Sequence, residues 1–409
     1  MTNCNDQANA LGGIDFPVCA LIGTGTNPCA TKVVAALVLS SLVLAFSGCA
    51  SKSSPEPILI GQFAPSSGSD RIIGEHARQA ILLAVEEANG SENLFPGRRV
   101  AVLHPEYPSD DPDALPNIAV RLILADRVVG LLADTTSVEA KRLARAAKDY
   151  DVPVITSAKL TADLNDENLF SVDPGLEFRG QVLARFAANE LKLEQVAIIL
   201  DSATPTAQAL VDAFQREFGA KGGRRTELWT LKSENEFSEA LKGIKKAGTA
   251  AVLFLGTAPN FAKLDANLRA AGTQMSLIFG GNGNQLSFSP NERERNNVYW
   301  ATSYTPDVPE PRNQEFVKKY KERFHEDPDV SAALAYDSLR ILLEAMHRAN
   351  STTQDAKILK ELASEQTRPF ECLTGSFAFD KNRSLRRPLF VMRLEHGHIT
   401  MVKRDAGSN

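Results

Sequence analysis

Cysteine is nearly absent from most of this chain. The 409 residues contain five cysteines, of which four lie within the first 49 residues. Beyond that segment only Cys372 remains, and one thiol can form neither a disulfide framework nor a cysteine-based metal site. We expect Cys372 to be a small apolar side chain in a protein core.

Net charge is also low. The sequence has 45 lysines and arginines against 50 aspartates and glutamates, which gives a formal net charge of −5. A nucleic-acid-binding domain would present a strongly basic face, so we expect no nucleic-acid partner. The hydrophobic share of 43% is ordinary for a globular protein.

The motifs of common catalytic sites are missing too. The sequence has no Gly-x-Ser-x-Gly turn and no Gly-x-x-x-x-Gly-Lys-Ser/Thr phosphate loop. His396 and His398 form the one close histidine pair, and no third metal ligand is evident near them. We therefore expect a protein that is not an enzyme and needs neither a cofactor nor a metal. Measured turnover of a bound solute would favour the alternative, a hydrolase.

What is present begins with an arrangement typical of an export signal. Lys32 precedes an apolar run over residues 33–46, which ends in Phe46-Ser47-Gly48-Cys49. The run is shorter than the ~20 residues that span a bilayer, and small residues after it are typical of a cleavage site. The tetrapeptide resembles a bacterial lipobox, with Phe46 where leucine is usual. The resemblance implies lipidation of Cys49. A buried apolar helix with an incidental cysteine is the alternative.

We therefore assign residues 1–49 to an N-terminal extension and a lipoprotein signal. Residues 50–57 are rich in serine and proline and are typical of a tether. Residues 1–31 show no periodicity, and a miscalled start codon would explain them.

From residue 58 onward, apolar strands alternate with amphipathic helices. The alternation runs once from about residue 58 to 172 and again from about 178 to 303. Strands that are apolar throughout predict parallel sheets covered by helices on both faces. The remaining strands and helices are too few for a third domain, so we expect them to complete the first two.

Six stretches carry a resemblance to one family. They lie at residues 60–68 with Gly74, 107–112, 152–156, 170–174, 304–337 and 375–380. In their order and spacing they resemble periplasmic solute receptors of the leucine/isoleucine/valine-binding type. The resemblance covers residues 58–404.

The resemblance implies the type I periplasmic binding protein fold, with two α/β lobes and a ligand cleft between them. Lobe 1 is expected at 58–175, completed by about 307–386, and lobe 2 at 176–306, completed by about 387–404. The resemblance also implies that the protein is an extracytoplasmic receptor in a bacterial cell envelope. Such a receptor delivers a small polar solute, here an amino acid or an amide, to an ABC permease. The lipid on Cys49 would attach it to the membrane.

Ligands of parallel α/β sheets bind beyond the carboxyl ends of the strands. The polar groups that follow the predicted strands are therefore the candidate ligand-binding residues. They are Ser66, Ser67, Asp134, Thr135, Thr136, Ser137, Ser157, Ala158, Asp201, Thr204, Thr257 and Asn282. Each serine or threonine before a helix has an alternative role as a helix cap, and Asp201 could also be a cap.

The candidate site departs from the amino-acid receptors it resembles. Those receptors hold the ligand carboxylate with hydroxyl and N–H groups in lobe 1, where this chain has Asp134. They hold the ammonium with an acidic residue, where this chain has Asn282, and many have an aromatic residue where this chain has Ile73. These departures leave open a second function: a regulatory lipoprotein that senses a ligand or a protein partner without transport.

Overall fold

A computed structural model gives the fold of the chain from residue 55 onward. The residues it describes are 55–68, 70–91, 94–107, 111, 113–161, 166–201, 204–220, 222, 224–231, 234–270, 272–273, 275–281, 283, 296–364 and 368–407. Cys49 and Asn282, two residues singled out above, lie outside the described residues. No helix within the described ranges is long and apolar enough to cross a membrane.

The first sheet is parallel and has the strand order β2-β1-β3-β4-β5. Its strands are β1 (Ile58–Phe63), β2 (Val100–Leu103), β3 (Leu131–Ala133), β4 (Val154–Thr156) and β5 (Leu169–Ser171). In β1, Ile58 and Ile60 belong to one apolar core and Phe63 to the core on the other face. Because both faces are buried, the strands are apolar throughout rather than alternating.

The second sheet has the order β14-β13-β10-β9-β8-β6-β7. Its strands are β6 (Gln195–Leu200), β7 (Arg225–Thr230), β8 (Ala251–Leu255), β9 (Ser276–Phe279), β10 (Val298–Thr302), β13 (Leu389–Glu395) and β14 (His398–Asp405). The strands from β6 to β10 are parallel, and antiparallel β13 and β14 extend one edge. A small antiparallel hairpin, β11 (Phe370–Cys372) with β12 (Gly375–Phe377), stands apart from both sheets.

Helices cover both faces of each sheet. They are α1 (Arg71–Gly90), α2 (Ala114–Leu124), α3 (Ser137–Ala147), α4 (Leu176–Asn189), α5 (Pro205–Gly219), α6 (Glu234–Ala247), α7 (Ala258–Ala270), α8 (Pro311–Phe324), α9 (Val330–Arg348) and α10 (Ala356–Ala363). The cores of the first sheet contain residues of α1, α2, α3, α8, α9 and α10, and those of the second contain residues of α4 to α7. We call each sheet with its helices a lobe, lobe 1 and lobe 2.

The chain passes between the lobes at three places. These crossings follow β5, follow β10 and precede β13. The predicted fold class, two α/β lobes with several crossings, is confirmed. Within this architecture Cys372 is buried, as expected from its sequence context.

Local differences from the predicted elements have physical causes. The apolar face that Ala77, Ala80, Ile81 and Ala84 share predicts a helix from Ala77, whereas α1 begins six residues earlier, at Arg71. The first turn breaks the apolar pattern because it contains Gly74 and the exposed Ile72. Gly74 is needed there, since a Cβ at this position would lie 1.9 Å from the carbonyl oxygen of Pro65. The short elements β5 and α10 were not predicted from the sequence pattern.

A buried ion pair fixes the third crossing to lobe 1. The Nη2 group of Arg387 donates to Asp337 Oδ2 at 2.9 Å and to Thr374 Oγ1 at 2.9 Å, and both charged side chains are fully buried. The Nη1 group of Arg387 also donates to the backbone oxygen of Val172 in the first crossing, at 3.4 Å.

Replacing Arg387 with leucine should therefore destabilise the protein by roughly 3–5 kcal/mol, because the carboxylate of Asp337 would stay buried without its cation. Urea denaturation measures this change. The neighbouring Arg386 is exposed, and Arg386→Leu should change the free energy of unfolding by less than about 0.5 kcal/mol. Equal effects of the two substitutions would contradict the structural role of the ion pair.

Candidate functional site

A cavity of about 470 Å³ lies between the lobes. Lobe 1 contributes Ile73, Asp134, Thr135, Thr136, Ser137, Ser157, Ala158, Lys159, Val330, Ser331 and Leu334. Lobe 2 and the crossings contribute Asp173, Leu176, Arg179, Asp201, Thr204, Thr206, Ala207, Leu210, Leu255, Gly256, Thr257, Gly280, Gly281, Ala301, Thr302 and Ser303. The volume is within the range of small-molecule sites.

The location of the cavity follows from the direction of the strands. The residues directly after β3, β4, β6 and β8 all line it, because parallel strands place their carboxyl ends at one edge of a sheet. The amino ends of α3, α5, α7 and α9 lie at the cavity, because its lining includes Ser137, Thr204, Thr257 and Val330. Their positive dipole ends favour an anion nearby.

Asp134 is buried in the wall of the cavity in lobe 1, with 4% of its surface exposed. Its Oδ2 accepts a hydrogen bond from Gln62 Nε2 at 2.7 Å and its Oδ1 accepts one from Ser157 Oγ at 2.8 Å. Burial raises the pKa of Asp134 to about 6, against the opposing effect of these two hydrogen bonds and of Arg78. The carboxyl group thus links the ends of three neighbouring strands.

The hydroxyl groups before α3 divide into different roles. Thr136 is the N-cap of the helix: its Oγ1 accepts from the backbone N–H of Glu139 at 3.3 Å, and Glu139 Oε2 accepts from the N–H of Thr136 at 3.0 Å. This capping box gives Thr136 the role of a helix cap, which was the alternative to ligand binding for the hydroxyl residues before a helix. The Oγ1 of Thr135 makes only a 3.3 Å bond to the backbone oxygen of Thr136.

Three predicted residues of lobe 2 also line the cavity. Thr204 and Thr257 accept hydrogen bonds from the N–H groups of Ala207 at 3.2 Å and Asn260 at 3.4 Å, so both stand at the start of a helix. Asp201 is not the cap of α5, the alternative considered from the sequence. Its Oδ2 accepts from Asn260 Nδ2 at 2.7 Å instead.

Two predicted residues lie elsewhere. Ser66 and Ser67 are exposed, and neither is among the described residues that line the cavity. Asn282 cannot be placed relative to the cavity because it lies outside the described residues. Gly280 and Gly281, which precede it, are in the lining.

A buried polar cluster at the base of the cavity was not among the predicted site residues. Asp173 Oδ2 accepts from Arg179 Nη2 at 3.0 Å and from Ser303 Oγ at 2.8 Å, and Arg179 Nη1 also donates to the backbone oxygen of Ala301. The side chains of Asp173 and Arg179 are each only 1% exposed. The one sequence signal was Asp173 itself, at the expected crossing between lobes.

Lys159 was also not among the predicted site residues. It lies in the loop after β4, directly after Ala158, which was predicted. The side chain is partly buried and lines the cavity. Burial lowers the pKa of Lys159 to about 7; the positive charge of Arg179 lowers it further, and Asp173 acts in the opposite direction. A lysine next to a buried cation is therefore close to its titration point at neutral pH.

Comparisons with known proteins point to one family. The sequence model of the periplasmic binding protein family matches residues 57–398. The Leu/Ile/Val-binding protein homolog 2 of Brucella abortus is 23% identical over 337 residues, which cover 79% of this chain and 86% of the relative.

Solved structures share the fold. The branched-chain amino acid transporter substrate binding protein LivJ from Streptococcus pneumoniae, in complex with isoleucine, has a TM-score of 0.70 at 22% identity and covers 85% of this chain and 99% of its own. An ABC transporter solute binding protein from R. palustris, in complex with benzoate, has a TM-score of 0.69 at 18% identity and covers 85% and 96%. At these identities the likeness concerns the fold.

The raised pKa of Asp134 predicts a pH-dependent stability. The ordinary pKa of aspartate is about 3.9, so between about pH 4 and pH 6 the folded state binds more protons than the unfolded state. The contribution of Asp134 to stability therefore falls as the pH rises through this window, and its cost is fully present above about pH 6.

Asp134→Asn should remove this decline, so that the variant gains roughly 2–3 kcal/mol on the wild type between about pH 4 and pH 6. Urea denaturation at several pH values measures the difference. Asp149→Asn, an exposed position of the same lobe, is the matched control for the loss of one carboxylate. A constant difference between Asp134→Asn and the wild type would contradict the prediction.

Proposed function

This chain belongs to the periplasmic binding protein family, and from that premise we propose that it is the extracytoplasmic solute-binding protein of an ABC transporter. It binds one small polar solute between its lobes and presents it to a permease. The observation that carries this proposal is the cavity between the lobes, which draws its lining from both of them at the carboxyl ends of their strands.

The lining of the cavity supports a small polar solute. It combines carboxyl, hydroxyl, ammonium and guanidinium groups with apolar side chains, which include Ile73, Leu176, Leu210, Leu255, Val330 and Leu334. A volume of about 470 Å³ suits a molecule of amino-acid size and leaves room for water. An amino acid or a related solute is consistent with the named ligands of the relatives, of which one binds isoleucine and another benzoate.

We propose that the ligand contacts come from the predicted residues that line this cavity. These are Asp134, Thr135, Thr136, Ser137, Ser157, Ala158, Asp201, Thr204 and Thr257. The hydroxyl of Thr135 is the best candidate among them because its only hydrogen bond within the described residues is a long one. The carboxyl of Asp134 is instead occupied by its two donors, so it acts mainly by orienting Ser157.

Binding should close the lobes, since a solute that touches both lobes gains contacts only when they approach each other. A thermal-shift screen of the purified protein against amino acids, amides, polyols, small peptides and aromatic acids should yield a stabilising ligand. At about 100 times its Kd the ligand stabilises by roughly 2.7 kcal/mol, which raises the Tm. Small-angle scattering should then show a smaller radius of gyration in the bound state.

Two results would oppose this prediction: no stabilising ligand in a broad panel, which favours the partner-sensing alternative, or identical scattering profiles with and without a saturating ligand. The variant Thr135→Ala should weaken binding by about 1 kcal/mol. Thr353→Ala, an exposed position outside the cavity lining, is the control and should bind as the wild type does.

We also propose that the protein is attached to the membrane by lipid on Cys49. The support is the apolar run over residues 33–46 followed by Ser47-Gly48-Cys49. Three acyl chains, each contributing about 0.8 kcal/mol per buried CH₂, are enough for stable anchoring.

Growth of an expressing bacterium with labelled palmitate should label the wild type and fail to label Cys49→Ser. Cys29→Ser removes another cysteine of the same segment and should remain labelled. Label retained in Cys49→Ser would refute the lipidation site.

A further inference from the structure

Lys159 is a cation that lines the cavity and has no partner among the described residues. Within the described part of the chain, its ammonium group takes part in no hydrogen bond and no ion pair, although the side chain is partly buried and lines the cavity. Holding an ammonium group away from water without an acceptor costs free energy. A desolvated charged group without an acceptor, in a cavity that admits ligands, is typical of a binding site.

The carboxylates that line the cavity are already occupied. Asp173 accepts from Arg179 and Ser303 through Oδ2, and its Oδ1 accepts from the N–H of Gly175 at 3.0 Å. Asp134 and Asp201 have their own donors, described above. None of the three is paired with Lys159, so the ammonium group is left to an acceptor that arrives with the solute.

The surroundings of Lys159 favour an anionic acceptor. Arg179, whose positive charge acts on Lys159, is held by Asp173, but its buried Nε–H has no partner among the described residues. Helix α4 begins at Leu176, which lies in the cavity lining together with Arg179. The positive end of this helix therefore adds to the field of the two cations.

Resting on the proposed function, we propose that Lys159 anchors a carboxylate subsite in the cavity, and that the solute is a small organic acid or amino acid whose carboxylate pairs with the Lys159 ammonium group. The carboxylate is the chemistry shared by the two candidate classes, amino acids and aromatic acids. Lys159 lies in the loop after β4, in the same cavity wall as the hydroxyl groups that hold a ligand carboxylate in the receptors this chain resembles.

Binding of a carboxylate should be coupled to protonation of Lys159. The pKa of Lys159 is about 7 without ligand, and a bound anion raises it. Below about pH 7 the ammonium group is already charged, and affinity is highest there. Above about pH 7 binding must take up a proton, so affinity falls as the pH rises.

Among the described residues, the other charged groups that line the cavity are Asp134, Asp173, Arg179 and Asp201. Asp134 titrates near pH 6, and arginine keeps its proton throughout the range used. Measurements between about pH 7 and pH 9 therefore separate Lys159 from Asp134.

The test is titration calorimetry of the full protein with isoleucine and benzoate as probes, each compared at about pH 6.5 with its carboxamide. Whichever of the two acids is a ligand should have a Kd at least about tenfold lower than that of its carboxamide. Its Kd should rise up to about tenfold per pH unit above about pH 7. Two buffers of different ionisation enthalpy should report uptake of up to one proton at about pH 8.5. The identity of the tighter acid distinguishes the two classes.

Variants separate charge from fold. Lys159→Met should weaken binding of the acid at least about tenfold and remove the pH dependence. Lys159→Arg should retain the affinity but also lose the pH dependence between about pH 7 and pH 9. Lys148→Met removes an exposed lysine of the same lobe and should bind as the wild type does. Because Lys159→Met removes a desolvated charge, its Tm without ligand should equal or exceed that of the wild type at about pH 6.5.

Wild-type affinity of Lys159→Met for the acid, or equal affinity of acid and amide, would overturn the carboxylate subsite. So would a screen in which only uncharged solutes bind, and in that case the solute-binding function would stand. The absence of any small-molecule ligand would overturn the proposed function itself.

Discussion

The buried ion pair of Asp173 and Arg179 is the interaction on which the site depends. Asp173 lies in the first crossing between the lobes, Ser303 in the second, and Arg179 on the first helix of lobe 2, so one carboxylate joins all three. Breaking such a pair leaves an uncompensated charge in a low-dielectric interior, which costs roughly 3–5 kcal/mol. The pair therefore gives the crossings a defined geometry at the base of the cavity.

A second ion pair performs the same task at the third crossing. Arg387 joins Asp337 of α9 to the backbone of Val172, next to Asp173. The two pairs bring the three crossings together while leaving the upper walls of the cavity, at the strand ends, without any such link among the described residues. This arrangement is compatible with the proposed closure of the lobes, since hinge motion between two lobes takes place about the segments that join them.

Much of the fold could be predicted because its signals are local. Apolar strands such as residues 195–200 and helices with one apolar face are visible in any short window. Short elements such as β5 and α10 offered too few residues for a period. The early start of α1 was missed because Gly74 weakens the helical pattern, and the need for glycine at this position is a close approach to the Pro65 carbonyl that is visible only in the folded chain.

The sequence by itself determined the fold class and the general position of the cleft, because strand direction alone places the loops after β3, β4, β6 and β8 at one edge of each sheet. Only the tertiary structure decided which polar groups there are occupied. Asp134 and Lys159 both follow a strand, yet Asp134 receives donors from Gln62 and Ser157, whereas Lys159 lies in the field of Arg179 and has no hydrogen-bond acceptor among the residues that the structure describes. Hydrogen bonds and desolvation depend on neighbours distant in sequence, so this difference arises only when the chain is folded.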